Sequence, residues 1–184
     1  MDMELAYGAV ASLPKVIFYK IKYGRRFQAP LVHALGKHFS IVIKKSGQLS
    51  VGKELVTRAD CHIRVEKGKL TIGDKCFFNL NGSITCMEEI VIGDGCQIGN
   101  NVVIVDHNHT RDFSGYTTKP VKIGNKVWIG ANCVILPGAV IGDNVVIGAG
   151  SLVMGEIPAG CTYYNKRQKE LVRENDNGNC SGIQ

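Results

Sequence analysis

The sequence lacks the features that define several other classes of protein. None of its apolar runs approaches the roughly 20 residues that a membrane-spanning helix needs, and its N-terminus has no small-residue cleavage site of a secretory signal. Its seven cysteines include no CxxC pair of the kind found in zinc ribbons and redox proteins. These absences predict a cytoplasmic protein in a reducing compartment, without a membrane span or a disulfide framework.

What the sequence does contain is a repeat of six residues. Isoleucine recurs in an unbroken row, and four of the five are followed by glycine: Ile123, Ile129, Ile135, Ile141 and Ile147. A period of six fits neither a helix nor the simple alternation of a strand. It is typical of an all-β fold, the parallel β-helix, in which each hexad forms one short strand and one corner.

The repeat extends towards the N-terminus with one change of frame. The earlier apolar leaders are Ile72, Phe78, Ile84 and Ile90 and, after a slip of two residues, Ile92, Ile98 and Ile104. If three hexads form one coil, residues 18 apart stack, so we expect Ile123 on Ile141 and Ile129 on Ile147. Small residues follow the leaders by four positions, among them Cys76, Cys96 and Cys133. These cysteines are therefore predicted to be small buried side chains.

The pattern divides the 184 residues into four segments. Residues 1–45 carry no hexads and are predicted to form a basic cap, with a helix or short strand covering the end of the coils. Residues 46–158 are the β-helix, interrupted by an inserted loop at 105–122. Residues 159–174 are a charged C-terminal segment with a short helix, and residues 175–184 are a polar tail predicted to be disordered.

The basic excess of the chain lies ahead of the repeats. Residues 1–50 carry eight Lys or Arg and two Asp or Glu, whereas residues 51–184 carry fourteen of each. Two interpretations are open. The N-terminal segment is either a solvated amphipathic face, or its charge attracts an anionic membrane at the cytoplasmic side or an acidic substrate.

The apolar leaders disappear between residues 104 and 123. The loop in their place begins with the run Asp106-His107-Asn108-His109. A loop that leaves a rigid scaffold is a common position for functional residues, and histidine is the natural general base near neutral pH. His107 and His109 are therefore candidates for catalysis; the alternative is that both are merely polar loop residues.

The His-bearing run, together with Ile123-Gly-Asn-Lys-Val-Trp-Ile-Gly-Ala-Asn and Ile147-Gly-Ala-Gly-Ser, resembles the hexapeptide-repeat acyltransferases. Galactoside, maltose and surface-polysaccharide O-acetyltransferases are the most similar members, and the resemblance covers about residues 70–167. It implies a left-handed parallel β-helix and a homotrimer with active sites between subunits. It also implies acetyl-CoA as the acyl donor, a sugar or glycan acceptor and no metal.

The resemblance implies a role for each matching residue. His107 matches the general base that takes the proton from a sugar hydroxyl, and the backbone N–H of Ala131 matches the donor to the oxyanion. Asn81 matches an asparagine that contacts the acceptor, with Asn79 as a weaker candidate and His109 in a supporting role. For Asn81 the alternative is a stacked structural asparagine.

The resemblance also places the acyl donor. Trp128 matches a residue that lines the cofactor groove, and Gly130 and Ala131 follow it on the same corner. Small residues should flank the pantetheine arm, namely Gly148 and Ala149. Lys166 and Arg167 stand where the family places cations for the CoA phosphates. The sequence departs from the family at Met154-Gly155 and again at residues 163–167, and both departures concern the outer half of the cofactor.

Several functions compete on this fold. The first is O-acetyl transfer to a sugar hydroxyl in capsule, O-antigen or exopolysaccharide synthesis, and N-acyl transfer to a nucleotide-linked amino sugar would use the same base. A zinc carbonic anhydrase needs three spread ligands, whereas here no histidine follows His109. A non-catalytic scaffold would need no polar loop with histidines. No nucleic-acid partner is expected.

Overall fold

A computed structural model describes residues 3–112 and 114–165, with the backbone of 172–174 and 180–182. The other residues, and the side chains of 3–7 and of the two last segments, lie outside this description. The chain begins with helix α1 (Met3–Tyr23) and a 3₁₀ turn (Gly24–Arg26). The strands follow in this order: β1 Phe27–Gln28, β2 Ser40–Ile43, β3 Gln48–Val51, β4 Val56–Thr57, β5 His62–Val65, β6 Lys69–Ile72, β7 Phe77–Phe78, β8 Ser83–Cys86, β9 Glu89–Ile92, β10 Gln97–Ile98, β11 Val103–Val105, β12 His107–His109, β13 Tyr116–Thr118, β14 Val121–Ile123, β15 Trp128–Ile129, β16 Val134–Ile135, β17 Val140–Ile141, β18 Val146–Ile147, β19 Leu152–Val153, β20 Glu156–Ile157, β21 Thr162–Tyr163, β22 Val172–Glu174 and β23 Cys180–Gly182.

Most of these strands form the three walls of a parallel β-helix, as the hexads predict. Sheet A has the order β1-β3-β6-β9-β14-β17-β20, sheet B the order β4-β7-β10-β15-β18-β21, and sheet C the order β2-β5-β8-β11-β16-β19. The chain visits A, B and C in turn, so three strands make one coil. Neighbouring strands within each sheet pair in parallel, so each coil satisfies the backbone hydrogen bonds of the next.

The apolar leaders fill the interior of the coils. Ile123 pairs with Ile141 and Ile129 with Ile147, which confirms the predicted register. All five isoleucines of the row are at most 2% exposed, and the cysteines predicted to be small core residues are buried beside them. This stack of aliphatic side chains is the hydrophobic core that holds the coils together.

The coils become shorter along the chain. Apart from the coil that carries the insertion, stacked residues are 22 apart in the first coil (Ser40 on His62), then 21 (Gln48 on Lys69), 20 (Phe77 on Gln97) and 18 (Trp128 on Val146). The expected spacing of 18 is therefore wrong for the N-terminal coils. Their strands in sheets A and C are four residues long rather than two, and the additional residues account for the change of frame in the hexads.

The N-terminal cap is one continuous helix. The side chains of Ser12, Val16, Tyr19 and Tyr23 recur at helical spacing and are buried. The Tyr23 hydroxyl donates to the carbonyl of Ile41 (2.9 Å), and the Tyr19 hydroxyl accepts from the N–H of Ile41 (3.1 Å). Helix α1 therefore covers the edge strand β2 of sheet C at the end of the stack, and the helical alternative of the prediction is confirmed.

Both predicted boundaries of the β-helix need correction. The coils begin at Phe27 rather than at residue 46, since β1 pairs with β3 and β2 with β5. The alternation of buried and half-exposed residues in Ser40–Ile43 makes a strand without a hexad. At the other end the coils continue past residue 158, because Thr162 and Tyr163 of β21 pair with β18.

The described backbone at the C-terminus is extended. Val172–Glu174 pairs antiparallel with Cys180–Gly182. The predicted C-terminal helix is therefore wrong for 172–174, and the predicted disorder is wrong for 180–182; residues 166–171 lie outside the described part.

The triangular cross-section has three edges where the chain turns between sheets. The AB edge comprises residues 52–55, 73–76, 93–96, 124–127, 142–145 and 158–161. The BC edge comprises residues 58–61, 79–82, 99–102, 130–133 and 148–151. The CA edge comprises residues 44–47, 66–68, 87–88, 106–120, 136–139 and 154–155. The candidate functional residues are on the second and third of these.

Candidate active site

A short antiparallel hairpin projects from the CA edge. Strands β12 and β13 pair His107 with Thr118 and His109 with Tyr116. At the turn, hydrogen bonds from Thr110 and Ser114 lower the pKa of Asp112 to about 2. Strands β12 and β13 therefore make an ordered hairpin of the predicted loop. Sheet C is continuous past the insertion, because β11 pairs with both β8 and β16.

The carboxylate of Asp106 anchors the hairpin to the preceding coil. Asp106 is fully buried and accepts the N–H of Met87 at both oxygens (2.8 and 3.0 Å) and the N–H of Glu88 at Oδ2 (2.7 Å). Burial and the adjacent Asp106 charge raise the pKa of the Cys86 thiol, which therefore stays protonated. A buried carboxylate with several donors is both stabilised and fixed in place.

Asp106 in turn orients His107. Nδ1 of His107 lies 3.3 Å from Oδ1 of Asp106, and the imidazole side chain is 15% exposed. We assign the proton to Nδ1 on the basis of this contact, which leaves Nε2 with its lone pair. The Tyr116 ring packs edge-on against the His107 ring, with centroids 5.7 Å apart, and at a tilt against the His109 ring, with centroids 4.5 Å apart. An acid that holds a histidine in one tautomer is the arrangement a general base requires.

His107 lies at the mouth of a cleft of about 430 Å³ along the CA edge. His109 and Tyr116 of the hairpin line one side of it, and Thr85 and Met87 of the preceding coil line another. The cleft continues towards the N-terminal cap between charged side chains of the first coils. The two histidines predicted as candidates therefore share one concave site.

The residues predicted to contact the acyl donor lie on the BC edge. Gly130 is stacked tightly under the next coil, since a Cβ there would lie 2.6 Å from the backbone nitrogen of Ala149. A Cβ at Gly99 would lie 2.7 Å from the nitrogen of Ala131. Within the described residues, the hydrogen bonds leave the N–H of Ala131 without an acceptor, so this donor is available to a ligand.

The predicted acceptor-binding asparagines are also on the BC edge. Asn81 donates from Nδ2 to Oδ1 of Asn101 (3.1 Å), and Asn101 donates in the same way to Asn132 (2.9 Å). All three have a left-handed backbone, with φ of 56 to 59°, a conformation that asparagine tolerates well. Asn79 accepts the N–H of Leu80 at its side chain (3.0 Å). These contacts favour the structural interpretation of Asn81.

Trp128 points outward from sheet B and is 58% exposed. Its backbone pairs with Gln97 and Val146, and it precedes the corner that holds Gly130 and Ala131 in the chain. An exposed tryptophan is not a core anchor, and its apolar surface is available for contact. Gly148 and Ala149 lie on the next coil of the same edge, while Lys166 and Arg167 lie outside the described residues.

The candidate residues therefore form two groups that one chain does not bring together. His107 and His109 are on the CA edge, and Ala131, Asn81 and the glycines are on the BC edge. The two edges are separated by the width of sheet C, roughly 15 Å for about five residues at ~3.3 Å each. Reacting atoms must approach to about 3 Å, so one chain alone holds only half of such a site.

Sequence reasoning missed three residues of this region. Asp106 stood in the recognised run but received no role, because its partners are backbone N–H groups one coil away. Tyr116 lies in the inserted loop, where no hexads assign a residue to a position in the fold. The Oδ1 atom of Asn100 is buried without a partner among the described residues, and Asn100 accepts the N–H of Asn132 at its carbonyl, directly beside Ala131.

Family models and relatives agree with this architecture. Residues 120–155 match the model "Bacterial transferase hexapeptide (six repeats)" and residues 69–105 match "Hexapeptide repeat of succinyl-transferase". WbbJ of Escherichia coli, named for O-acetyl transfer in lipopolysaccharide biosynthesis, is 30% identical over 135 residues, covering 65% of this chain and 69% of WbbJ. The galactoside O-acetyltransferase of E. coli is 42% identical over 93 residues, covering 47% of this chain and 45% of that enzyme.

Solved structures show the same fold. A hexapeptide-repeat acetyltransferase from Vibrio cholerae superposes with a TM-score of 0.54 at 25% identity, covering 72% of this chain and 71% of that one. The D94A mutant of AntD, an N-acyltransferase from Bacillus cereus solved with dTDP and coenzyme A, gives a TM-score of 0.62 at 20% identity, covering 91% of this chain and 87% of that one. The chain belongs to the hexapeptide-repeat family of acetyltransferases.

Proposed function

We propose that the protein transfers the acetyl group of acetyl-CoA to a sugar hydroxyl during the synthesis of a bacterial surface polysaccharide, in capsule, O-antigen or exopolysaccharide. The observation that carries this proposal is the pair Asp106–His107, a buried acid that orients a histidine at the mouth of a cleft. The names of the relatives in lipopolysaccharide synthesis and galactoside acetylation support the class of acceptor.

The chemistry follows from the atoms available. Nε2 of His107 takes the proton of the acceptor hydroxyl as the oxygen attacks the thioester carbonyl. The carbonyl becomes a tetrahedral oxyanion, which the N–H of Ala131 stabilises. When the intermediate collapses, the C–S bond breaks, and the proton on His107 passes to the leaving thiolate of CoA. The products are an O-acetyl ester and free CoA, and His107 is neutral again.

We infer that the two halves of the site come from neighbouring subunits of a homotrimer. The CA edge of one copy would supply His107, supported by His109. The BC edge of the next would supply Ala131, with Trp128, Gly130, Gly148 and Ala149 along the acetyl-CoA and Asn79 towards the acceptor. Asn81 is proposed to keep its structural role in the stack with Asn101. Lys166 and Arg167 are proposed partners of the CoA phosphates. The separation of the edges within one chain supports this arrangement.

N-acyl transfer to a nucleotide-linked amino sugar uses the same base and the same oxyanion donor, and a non-catalytic scaffold would use neither. A thiol-release assay with acetyl-CoA distinguishes these functions when it is run with a panel of neutral sugars, nucleotide sugars, amino sugars and lipid-linked glycans. We expect CoA release with acceptors that carry hydroxyl groups and no amine. Release only with amines would establish N-acylation, and no release together with no CoA binding by calorimetry would favour the scaffold.

The protein is also proposed to dock on an anionic membrane through α1. Opposite its buried face, the helix exposes Val10, Leu13, Ile17, Phe18 and Ile21, each by 37 to 80%. Lys20 and Lys22 border this apolar face on its two sides, and the Lys22 ammonium lies 5.5 Å from the Phe18 ring. An apolar helix face with basic flanks suits the headgroup region of anionic lipids. No described helix is long and apolar enough to cross a bilayer.

A second copy is a weaker occupant for this face. The buried side of α1 lies on the terminal coil, so the apolar side is directed away from the stack of coils. A copy packed alongside the sheets or edges would leave it uncovered. The apolar side of α1 lies at the end of the stack of coils, so a flat membrane surface can contact all of it.

Sedimentation with lipid vesicles tests the docking. We expect the wild type to bind vesicles with 30% phosphatidylglycerol and not neutral ones, and Ile17→Ser/Ile21→Ser to bind at least about tenfold more weakly because apolar burial is lost. Val140→Ser/Leu152→Ser, which removes exposed apolar side chains from the coils, is the control. If the α1 variant instead changes the mass in light scattering and no vesicles bind, the face joins copies of the chain and the membrane proposal is wrong.

A further inference from the structure

The cleft at His107 is strongly basic. Apart from the hairpin, Thr85 and Met87, its lining consists of Lys44, Lys45, Arg64 and Lys67, with Glu66 as the one acid. Lys44 and Lys45 belong to the first turn of the CA edge, and Lys67 to the second. The cations therefore form a column along the edge, starting near the cap and ending at the hairpin.

The single acid of the lining is already engaged. Glu66 accepts from Nε of Arg64 at 2.6 Å and lies 3.8 Å from Nζ of Lys44. Its side chain is 17% exposed, whereas those of Lys44 and Arg64 are 50% and 44% exposed. Lys45 and Lys67 form no ion pair with any of the described residues. The cleft thus keeps an excess of positive charge, with Lys45 and Lys67 as its available cations.

We propose that the acceptor is an anionic sugar, bound by Lys45 and Lys67 through a phosphate or a carboxylate. This inference rests on the proposed function and specifies its substrate class. Charge-assisted hydrogen bonds to a phosphate or carboxylate are about twice as strong as neutral ones. A cleft lined by charges of one sign also raises the local concentration of the opposite charge.

The geometry also fixes where the anionic group must be. Coils of the stack are about 4.8 Å apart. Lys67 stands two turns of the CA edge before Asp106 and Lys45 three turns before it, so they lie roughly 10 to 15 Å from the histidine. The anion is therefore roughly one to two sugar residues away from the hydroxyl that reacts. A glycosyl phosphate, a glycosyl diphosphate or a neighbouring acidic sugar meets this requirement.

The CoA phosphates are a second source of the same chemistry. They are disfavoured because the residues proposed for acetyl-CoA lie on the BC edge, whereas the basic column runs along the CA edge. The two sources predict different kinetic effects, since loss of an acceptor contact raises KM for the acceptor and loss of a CoA contact raises KM for acetyl-CoA.

Steady-state kinetics of Lys45→Gln/Lys67→Gln test the inference with three acceptors: a nucleotide-diphosphate sugar, an acidic sugar and a neutral methyl glycoside. We expect kcat/KM for one of the anionic acceptors to fall about tenfold or more, with an unchanged KM for acetyl-CoA and an unchanged value for the neutral glycoside. For the wild type, the excess of kcat/KM for the anionic acceptor over that for the neutral glycoside should also disappear as the salt concentration rises from 0.05 to about 0.5 M.

Lys75→Gln/Lys126→Gln is the matched control. These lysines are exposed on the AB edge and share the left-handed backbone of Lys45, with φ of 55° and 53° against 45°. Their replacement removes the same charge and should leave all kinetic constants unchanged. Equal use of neutral and anionic acceptors, or a raised KM for acetyl-CoA in the Lys45/Lys67 variant, would overturn the inference but leave acetyl transfer standing. No CoA release with any acceptor would overturn both.

Discussion

The His107→Ala protein is expected to turn over about 10²- to 10⁴-fold more slowly than the wild type, with a nearly unchanged KM for acetyl-CoA. The reason is that the acceptor hydroxyl loses the base that removes its proton, while the BC edge that contacts CoA keeps its structure. Initial rates of CoA release at saturating substrates measure the effect. His109→Ala is the control, since this neighbouring side chain is exposed on the same hairpin and should matter far less.

The His107→Ala protein also tests whether the site is shared between subunits, when it is combined with a second inactive variant. Ala149→Trp introduces a bulky side chain at an exposed position of the BC edge and should be inactive because it obstructs acetyl-CoA. When the two inactive proteins are unfolded together and refolded at equal amounts, some interfaces combine an intact CA edge with an intact BC edge. Random mixing in a trimer should restore about a quarter of wild-type activity.

Two outcomes would contradict these expectations. A near-normal rate in His107→Ala would remove this histidine from the chemistry. No recovery in the mixed sample, although mass measurements show mixed trimers, would mean that each site lies within one chain. The melting temperature of each variant should match that of the wild type, because both positions lie outside the core.

Ile135→Asp is expected to abolish the cooperative fold. Ile135 is fully buried and stacks between Ile104 of one coil and Val153 of the next. A carboxylate at this position would be buried without a partner, which costs several kcal/mol, a large part of the stability of a typical domain. Since each coil is stabilised only by its neighbours, the loss affects the whole stack. Thermal unfolding followed by circular dichroism measures it.

The same substitution at a surface position provides the comparison. Leu152 lies in the strand next to β16 and is 47% exposed. Leu152→Asp should therefore shift the melting temperature by only a few degrees. If Ile135→Asp melted at the wild-type temperature, Ile135 would not be in the core as described.

The part of the fold that the sequence predicts is the part in which one residue type repeats at one position. Ile123 to Ile147 are such a series, and their register is confirmed. The coil before residue 46 was outside the predicted β-helix because the strand Ser40–Ile43 buries alternate residues and has no glycine after its last apolar residue. Alternation of this kind indicates a strand but does not indicate a coil.

The site was predictable only where it interrupts the repeat. The loss of apolar leaders pointed to His107, but the function of Asp106 depends on N–H groups of Met87 and Glu88, nearly twenty residues earlier. Such a contact has no signature in local sequence. The basic excess of residues 1–50 was visible in the sequence, but the basic cleft was not, because Lys45 and Lys67 approach His107 only through the stacking of the coils.

The hairpin leaves the CA edge and returns to it without disturbing the ladder, since strands 31 residues apart on its two sides still pair, as Val103 does with Val134. The stability of the solenoid therefore depends little on the length of the insertion, because doubling the length of a closed loop costs only about 0.6 kcal/mol. The hairpin can therefore be lengthened, shortened or replaced while the core and the opposite edge keep their structure. In the proposed enzyme this separates acceptor preference, which depends on the CA edge, from use of the acyl donor, which depends on the BC edge.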